Sequence, residues 1–149
     1  MVVKDLMSIN IRTVKPEDSA RLAAEIMRTE NVGIVPVCDA QNHLHGVITD
    51  RDLILRRGLE RPAKTASEVM TPSPVTVSAR EEIHQAALLF SKHGVRRLPV
   101  LENEKLVGML SLKDLARKII FTVEFGHIVY TISNQLFLKA KNGQSYAFS

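Results

Sequence analysis

Two short stretches of this sequence carry residues of a type and spacing that could do chemistry: Thr49-x-x-Asp52 and Ser111-x-x-Asp114. In each, an apolar run ends in a hydroxyl, and a carboxylate follows three residues on, where a helical pattern begins. Two chemistries fit. A hydroxyl N-cap and an acid three later make a capping box, although Glu or Gln is the usual partner and Asp reaches back less well. Alternatively, the hydroxyl and the free first-turn amides hold a phosphate at the helix N-terminus. The carboxylate, one turn on, then accepts hydrogen bonds from both hydroxyls of a ribose. For a solitary motif of this length, capping is the commoner explanation.

The motif is not solitary. Shifted by 63, Met7 falls on Met70, Thr13-Val14 on Thr76-Val77, Ala23-Ala24 on Ala86-Ala87, Val32 on Val95 and Pro36-Val37 on Pro99-Val100. After a one-residue loss behind Asp39, an offset of 62 carries Leu44, Gly46, Thr49, Asp52 and Leu53 onto Leu106, Gly108, Ser111, Asp114 and Leu115. Matches that keep their order along a whole segment define an internal repeat. The units are 1–57 and 66–120, joined by a short linker, 58–65, with Gly58 and Pro62, and followed by an extension, 121–149.

Both units read alike. A short apolar segment leads into an extended stretch ending Thr-Val, kept non-helical in the second unit by Pro72 and Pro74. Helices follow from about Asp18 to Thr29 and from Glu81 to Lys92. Leu22, Ala23, Ile26 and Met27 share one face of the first. Ile83, Ala86, Ala87 and Phe90 do so in the second, and Gly94 stops it. Strands Ile34–Cys38 and Arg97–Leu101 turn through polar loops into strands His45–Ile48 and Leu106–Leu110. Closing helices run from Asp50 to Arg57 and from Leu112 to about Ile119. The fold class is α+β: two β-α-β-β-α units, each with an open sheet face, packed sheet against sheet or sharing helices with pseudo-twofold symmetry. Beyond Ile120 lie six of the seven aromatic residues, and Asn142-Gly143 is a type I′ hairpin signal, so a C-terminal β extension is expected.

Composition bounds the function. Of 149 residues, 45% are hydrophobic and 24% charged, ordinary for a globular protein. The net charge of +4 suits an anionic ligand but is too small to argue for nucleic acid. The one cysteine, Cys38, rules out an intrachain disulfide and lies in an apolar run, where a thiol is inert. No apolar run approaches the ~20 residues of a membrane span, and the first residues do not read as a signal peptide. A cytoplasmic protein is expected. His43 and His45 flank Leu44, but two ligands do not make a metal site. No nucleophile–base pair or Walker-type loop is found, which argues against an enzyme.

With Val69-Met-Thr-Pro-Ser-Pro-Val-Thr-Val77, His93-Gly-Val-Arg-Arg-Leu-Pro-Val100 and the two Gly-x-x-[Thr/Ser]-x-x-Asp stretches, residues 1 to about 120 resemble a tandem pair of cystathionine-β-synthase (CBS) domains, a Bateman module. The resemblance implies two clefts between the units that take an adenosine-containing ligand (AMP, ADP, ATP, NAD or S-adenosylmethionine), and dimerisation into a flat disc. It implies ribose-binding roles for Asp52 and Asp114, and sugar- or phosphate-proximal hydroxyls at Thr49 and Ser111. Arg51 and Lys113 lean toward phosphate, and Arg96 and Arg97 sit over the phosphates of the second cleft. Adenine contacts come from the segments near Ile11 and Val75.

The first unit departs from this pattern. Gly33-Ile34 stand where the second has Arg96-Arg97, and Asp50 adds a negative charge. Unequal clefts follow, with the Arg96/Arg97 cleft favouring phosphorylated ligands. The function expected is a non-enzymatic regulatory module with an adenine nucleotide as its ligand and no required cofactor. It would act as a homodimer on a separate effector protein. The alternatives are a ligand-free dimerisation scaffold, in which the hydroxyl–acid pairs are only helix caps, and, more weakly, a nucleic-acid binder.

Overall fold

The computed structural model describes residues 1–56 and 58–119; the expected β extension at 121–149 lies outside them. Helix α1 (Ala20–Glu30) is followed by strands β1 (Ile34–Cys38) and β2 (Leu44–Thr49) and helix α2 (Asp50–Leu55). The second half has helix α3 (Ala66–Val69), strands β3 (Thr71–Pro72) and β4 (Val77–Ser78), helix α4 (Ile83–His93), strands β5 (Arg97–Glu102) and β6 (Lys105–Ser111), and helix α5 (Leu112–Ile119). A 3-10 turn at Val3–Asp5 begins the chain. The architecture is α+β, with two three-stranded sheets ordered β1-β2-β3 and β4-β5-β6.

Local signals place these elements. The Ser19 side chain accepts the Arg21 N–H at 3.2 Å to open α1. Asn31 closes α1 in the left-handed conformation at φ 53°, the position Gly94 occupies after α4 at φ 62°. Ala20, Ala23 and Ile26 are buried on α1, as are Ile83, Ala86 and Phe90 on α4. Leu22, expected on the inner face of α1, is 36% exposed. The stripe runs through Ala20, Ala23 and Ile26, which turns Leu22 toward the flank of the helix.

The first strand of each unit is shorter than its sequence suggests. β4 pairs in parallel with β5 through Val77↔Val100 and Ser78↔Leu101. Its counterpart in the first half is the single parallel bridge Val14↔Val37. Each hairpin carries an irregularity at the equivalent place, between Val37 and Cys38 and between Val100 and Leu101.

The two halves are joined by an exchange of segments. Thr71 and Pro72, from the start of the second unit, pair antiparallel with Val47 and Gly46 of the first unit's β2. Reciprocally, Ser8 and Met109 exchange both backbone hydrogen bonds, at 2.9 and 3.0 Å. The side chains follow the backbone. Val3 is fully buried in the core built by α4, β5 and β6, whereas Ala66 and Val69 are fully buried in the core built by α1, β1 and β2. This crossing accounts for the paired glycines. A Cβ on Gly46 would lie 2.6 Å from the Thr71 carbonyl oxygen and 2.7 Å from Met70 Sδ, and one on Gly108 would collide with Met7 Sδ. At the other end of the hairpins, the Asn42 side-chain amide donates to the Leu106 carbonyl at 2.6 Å and the Leu106 N–H returns to the Asn42 carbonyl at 3.0 Å.

Candidate functional site

The hydroxyl–acid pairs sit where β2 runs into α2 and β6 into α5. Beside each, a cleft opens that both halves line. The first, of about 390 Å³, is bounded by Ser8, Ile11 and Arg12 from the crossing segment and Val32 and Ile34 from the first unit. The second unit adds Arg97, Ser111, Lys113, Asp114 and Arg117. The other cleft, of about 500 Å³, is bounded by Gly33, Ile34, Thr49 and Asp50 on one side and Thr71, Val75, Arg96, Arg97 and Pro99 on the other. Both volumes fall in the ~300–1,000 Å³ range of small-molecule sites.

The two acids, equivalent in sequence, differ in their bonding. Asp52 is 8% exposed and is the buried charged residue among those described. Its N–H donates to Thr49 Oγ1 at 3.1 Å, and its Oδ2 accepts the Thr49 N–H at 2.9 Å, a complete capping box. The Thr71 hydroxyl lies 3.1 and 3.3 Å from its two oxygens, and Arg56 Nε stands 3.7 Å from Oδ1. Asp52 does not border either cleft. Asp114 is half-buried and lines the first cleft. Its N–H donates to Ser111 Oγ at 3.0 Å, and the Ser111 hydroxyl donates to Asp114 Oδ2 at 2.5 Å. Among the described residues, Oδ1 of Asp114 has no hydrogen-bond donor. Ser8, the positional equivalent of Thr71, lines the cleft without bonding the acid.

The cationic side chains divide differently from the sequence expectation. Arg96 and Arg97, expected together over the cleft of Asp114, both border the cleft of Thr49 and Asp50. Arg97 borders both clefts, while Arg96 borders only the one with Thr49 and Asp50. Lys113 lines the Asp114 cleft, but exposed Arg51 lines neither. Ile11 and Val75 border one cleft each. Sequence reasoning missed Arg12 and Arg117. Arg117 was findable, being three residues past Asp114 on the same helix face. Arg12 stands where the second unit has Val75. The Asp114 cleft thus has four cations (Arg12, Arg97, Lys113, Arg117) against Glu30 and Asp114. Arg12 Nη1 lies 3.6 Å from Glu30. The other cleft has Arg96 and Arg97 against Asp50.

His43 and His45 lie at the start of β2, away from either cleft. His45 Nε2 is 2.9 Å and His43 Nδ1 3.6 Å from Asp39 Oδ2. The hydrogen bond from the His45 side chain, then that from the His43 N–H, holds the Asp39 carboxyl below its ordinary range. Among the described residues, no three His, Cys, Asp or Glu side chains converge as metal ligands. None of their helices is long and apolar enough to cross a membrane.

Comparison with known proteins gives a consistent result. The CBS domain family matches twice, over residues 3–57 and 66–120. The CBS domain-containing protein YhcV of Bacillus subtilis is 36% identical over 135 residues, covering 89% of this chain and 96% of its own. CBSX2 of Arabidopsis thaliana, in a crystal structure with AMP, superposes with a TM-score of 0.74 at 27% identity, covering 82% of this chain and 98% of that one. The CBS domain pair of MJ0100, crystallised with 5′-methylthioadenosine and S-adenosyl-L-methionine, superposes with a TM-score of 0.69 at 29% identity, covering 78% and 94%.

Proposed function

The chain belongs to the CBS-domain family, and we propose that it is a non-catalytic regulatory module holding an adenosine-containing ligand between its two repeats, taken as 1–57 and 66–120. The observation that carries this reading is the Asp114 cleft. A carboxylate with an open oxygen sits beside Ser111, near the apolar side chains of Ile11, Val32 and Ile34, and Arg97, Lys113 and Arg117 line the same hollow. These are the groups a nucleotide asks for: an acceptor for ribose hydroxyls, apolar surface for the base and cations for phosphate. The ligands of CBSX2 and of the MJ0100 pair, both adenosine compounds, support the same class.

The cleft is lined by both halves, so a ligand in it touches residues from each. If it favours one relative arrangement of the halves, it shifts the population toward that arrangement. A separate effector protein, met in the cytoplasm by a homodimer of the module, would read the shift. A thermal-shift panel with AMP, ADP, ATP, NAD and S-adenosylmethionine tests the reading. A ligand at 100 times its Kd adds about 2.7 kcal/mol of stability, or roughly 5–10 °C at this chain length. No shift with any of the five would overturn it and leave a dimerisation scaffold.

A further inference from the structure

We infer that the two clefts are not equivalent sites, and that each chain binds one adenosine phosphate, in the Asp114 cleft, because Thr71 has closed the other to ribose. The inference rests on the nucleotide-binding reading above and names which cleft serves it and which ligand charge it selects.

The argument starts from the acceptor. A ribose diol needs carboxylate oxygens that are reachable and not already committed. Asp114 lines its cleft, is half-exposed there, and has no hydrogen-bond donor on Oδ1 among the described residues. Asp52 offers nothing comparable. One of its oxygens takes the Thr49 N–H, the Thr71 hydroxyl lies against both, and Arg56 Nε stands 3.7 Å from the other. Thr71 itself lines the Thr49/Asp50 cleft and stands between that space and the acid. To reach Asp52, a sugar would have to displace Thr71 from its hydrogen bond and β3 from its pairing with Val47.

Charge points the same way. At equivalent positions the Asp114 cleft has Arg12 and the other has Val75. Arg117 lines the first, and its equivalent, Leu55, does not line the second. Asp50 further lowers the positive charge of the Thr49/Asp50 cleft. A phosphorylated ligand therefore meets its cations and its ribose acceptor together only beside Asp114.

Calorimetric titration of the full chain with ADP, and with adenosine as the uncharged control, tests this. The expected result is one ADP per chain, with adenosine at least about tenfold weaker through loss of the charge-assisted bonds. Asp114→Asn should weaken ADP by about tenfold or more, whereas Asp52→Asn should leave ADP affinity within about twofold. Stoichiometry in the unmodified chain needs no variant to fold, and circular dichroism checks that each variant has. Two ADP per chain would overturn the inference while leaving the nucleotide-binding reading intact. So would one ADP whose binding is lost on Asp52→Asn and kept on Asp114→Asn. Absence of binding by ADP, and by every compound of the thermal-shift panel, would overturn both.

Discussion

Thr71 Oγ1 donates to the Asp52 carboxylate at 3.1 and 3.3 Å, joining the start of the second unit to the helix cap of the first. Ser8 and Asp114 are the same pair by position and make no such bond. One hydroxyl thus separates a carboxylate bonded across the two units from one bonded only within its own helix cap. Asp52→Ala removes the cap, strands the Thr71 hydroxyl and leaves Arg56 without its acid. It should cost about 1–3 kcal/mol in urea denaturation. Asp114→Ala loses a half-exposed local bond and should cost only about 0.5–1 kcal/mol.

The glycines under the crossing segments should differ in tolerance. Gly46→Ala drives a Cβ to 2.6 Å from the Thr71 carbonyl oxygen, which is backbone pinned by the β2–β3 pairing. Gly108→Ala chiefly meets the flexible Met7 side chain. The first substitution should lower stability by about 1–3 kcal/mol and the second by less. Paired thermal melts of the two variants check the order; the reverse order would contradict the packing described.

Cys38 is buried, and that burial, with the Asp39 charge beside it, raises its thiol from an ordinary 9.0 to about 11. The folded state keeps this proton where the unfolded chain has lost it. The stabilisation is therefore complete below pH 9 and is lost as pH rises from 9 toward 11. Urea midpoints across that range should fall more steeply for the natural chain than for Cys38→Ala. A thiol reagent at pH 8 should label Cys38 far more slowly in the folded protein than in urea.

Asp39 gives the opposite limb. Its carboxyl is held below the ordinary 3.8 by the His45 side chain and the His43 and Gln41 amides. Stability from this turn is present above that value and is lost as pH falls below it. Asp39→Asn should flatten the pH dependence of unfolding in the acid range below about pH 4. The effect should be small, because the turn is solvated.

Arg117 should matter to ligand and little to fold. It is exposed on α5 and lines the Asp114 cleft. Arg117→Ala should weaken ADP by about three- to tenfold and make the remaining affinity less sensitive to salt. Adenosine affinity should be nearly unchanged. Titrations at two ionic strengths measure both quantities.

The repeat, the limits of β1 and the start of α5 were legible because hydrophobic period and turn residues are local signals. The β1 span Ile34–Cys38 was readable to the residue, and α5 begins at Leu112 as expected. The crossing of segments was not. Residues 66–72 look like the beginning of the second unit, and only the packing of Ala66, Val69 and Met70 against α1 and β2 places them in the first core. The bare Cα of Gly46 and Gly108 was the trace of that crossing in the sequence. At the site, the twin Thr/Ser-x-x-Asp motif gave no way to tell a sealed acid from an open one. The difference lies with Thr71, 19 residues from Asp52 along the chain and brought to it by tertiary structure.

The crossing of Val3 and Val69 into each other's half means that cutting the chain at the linker would yield two pieces, each carrying the plug that belongs in its sibling. Neither fragment could finish its own interior alone. Each would gain structure on remixing, or by borrowing the missing plug from a second copy of itself, so obligate pairing is written into the half-molecule before any ligand arrives.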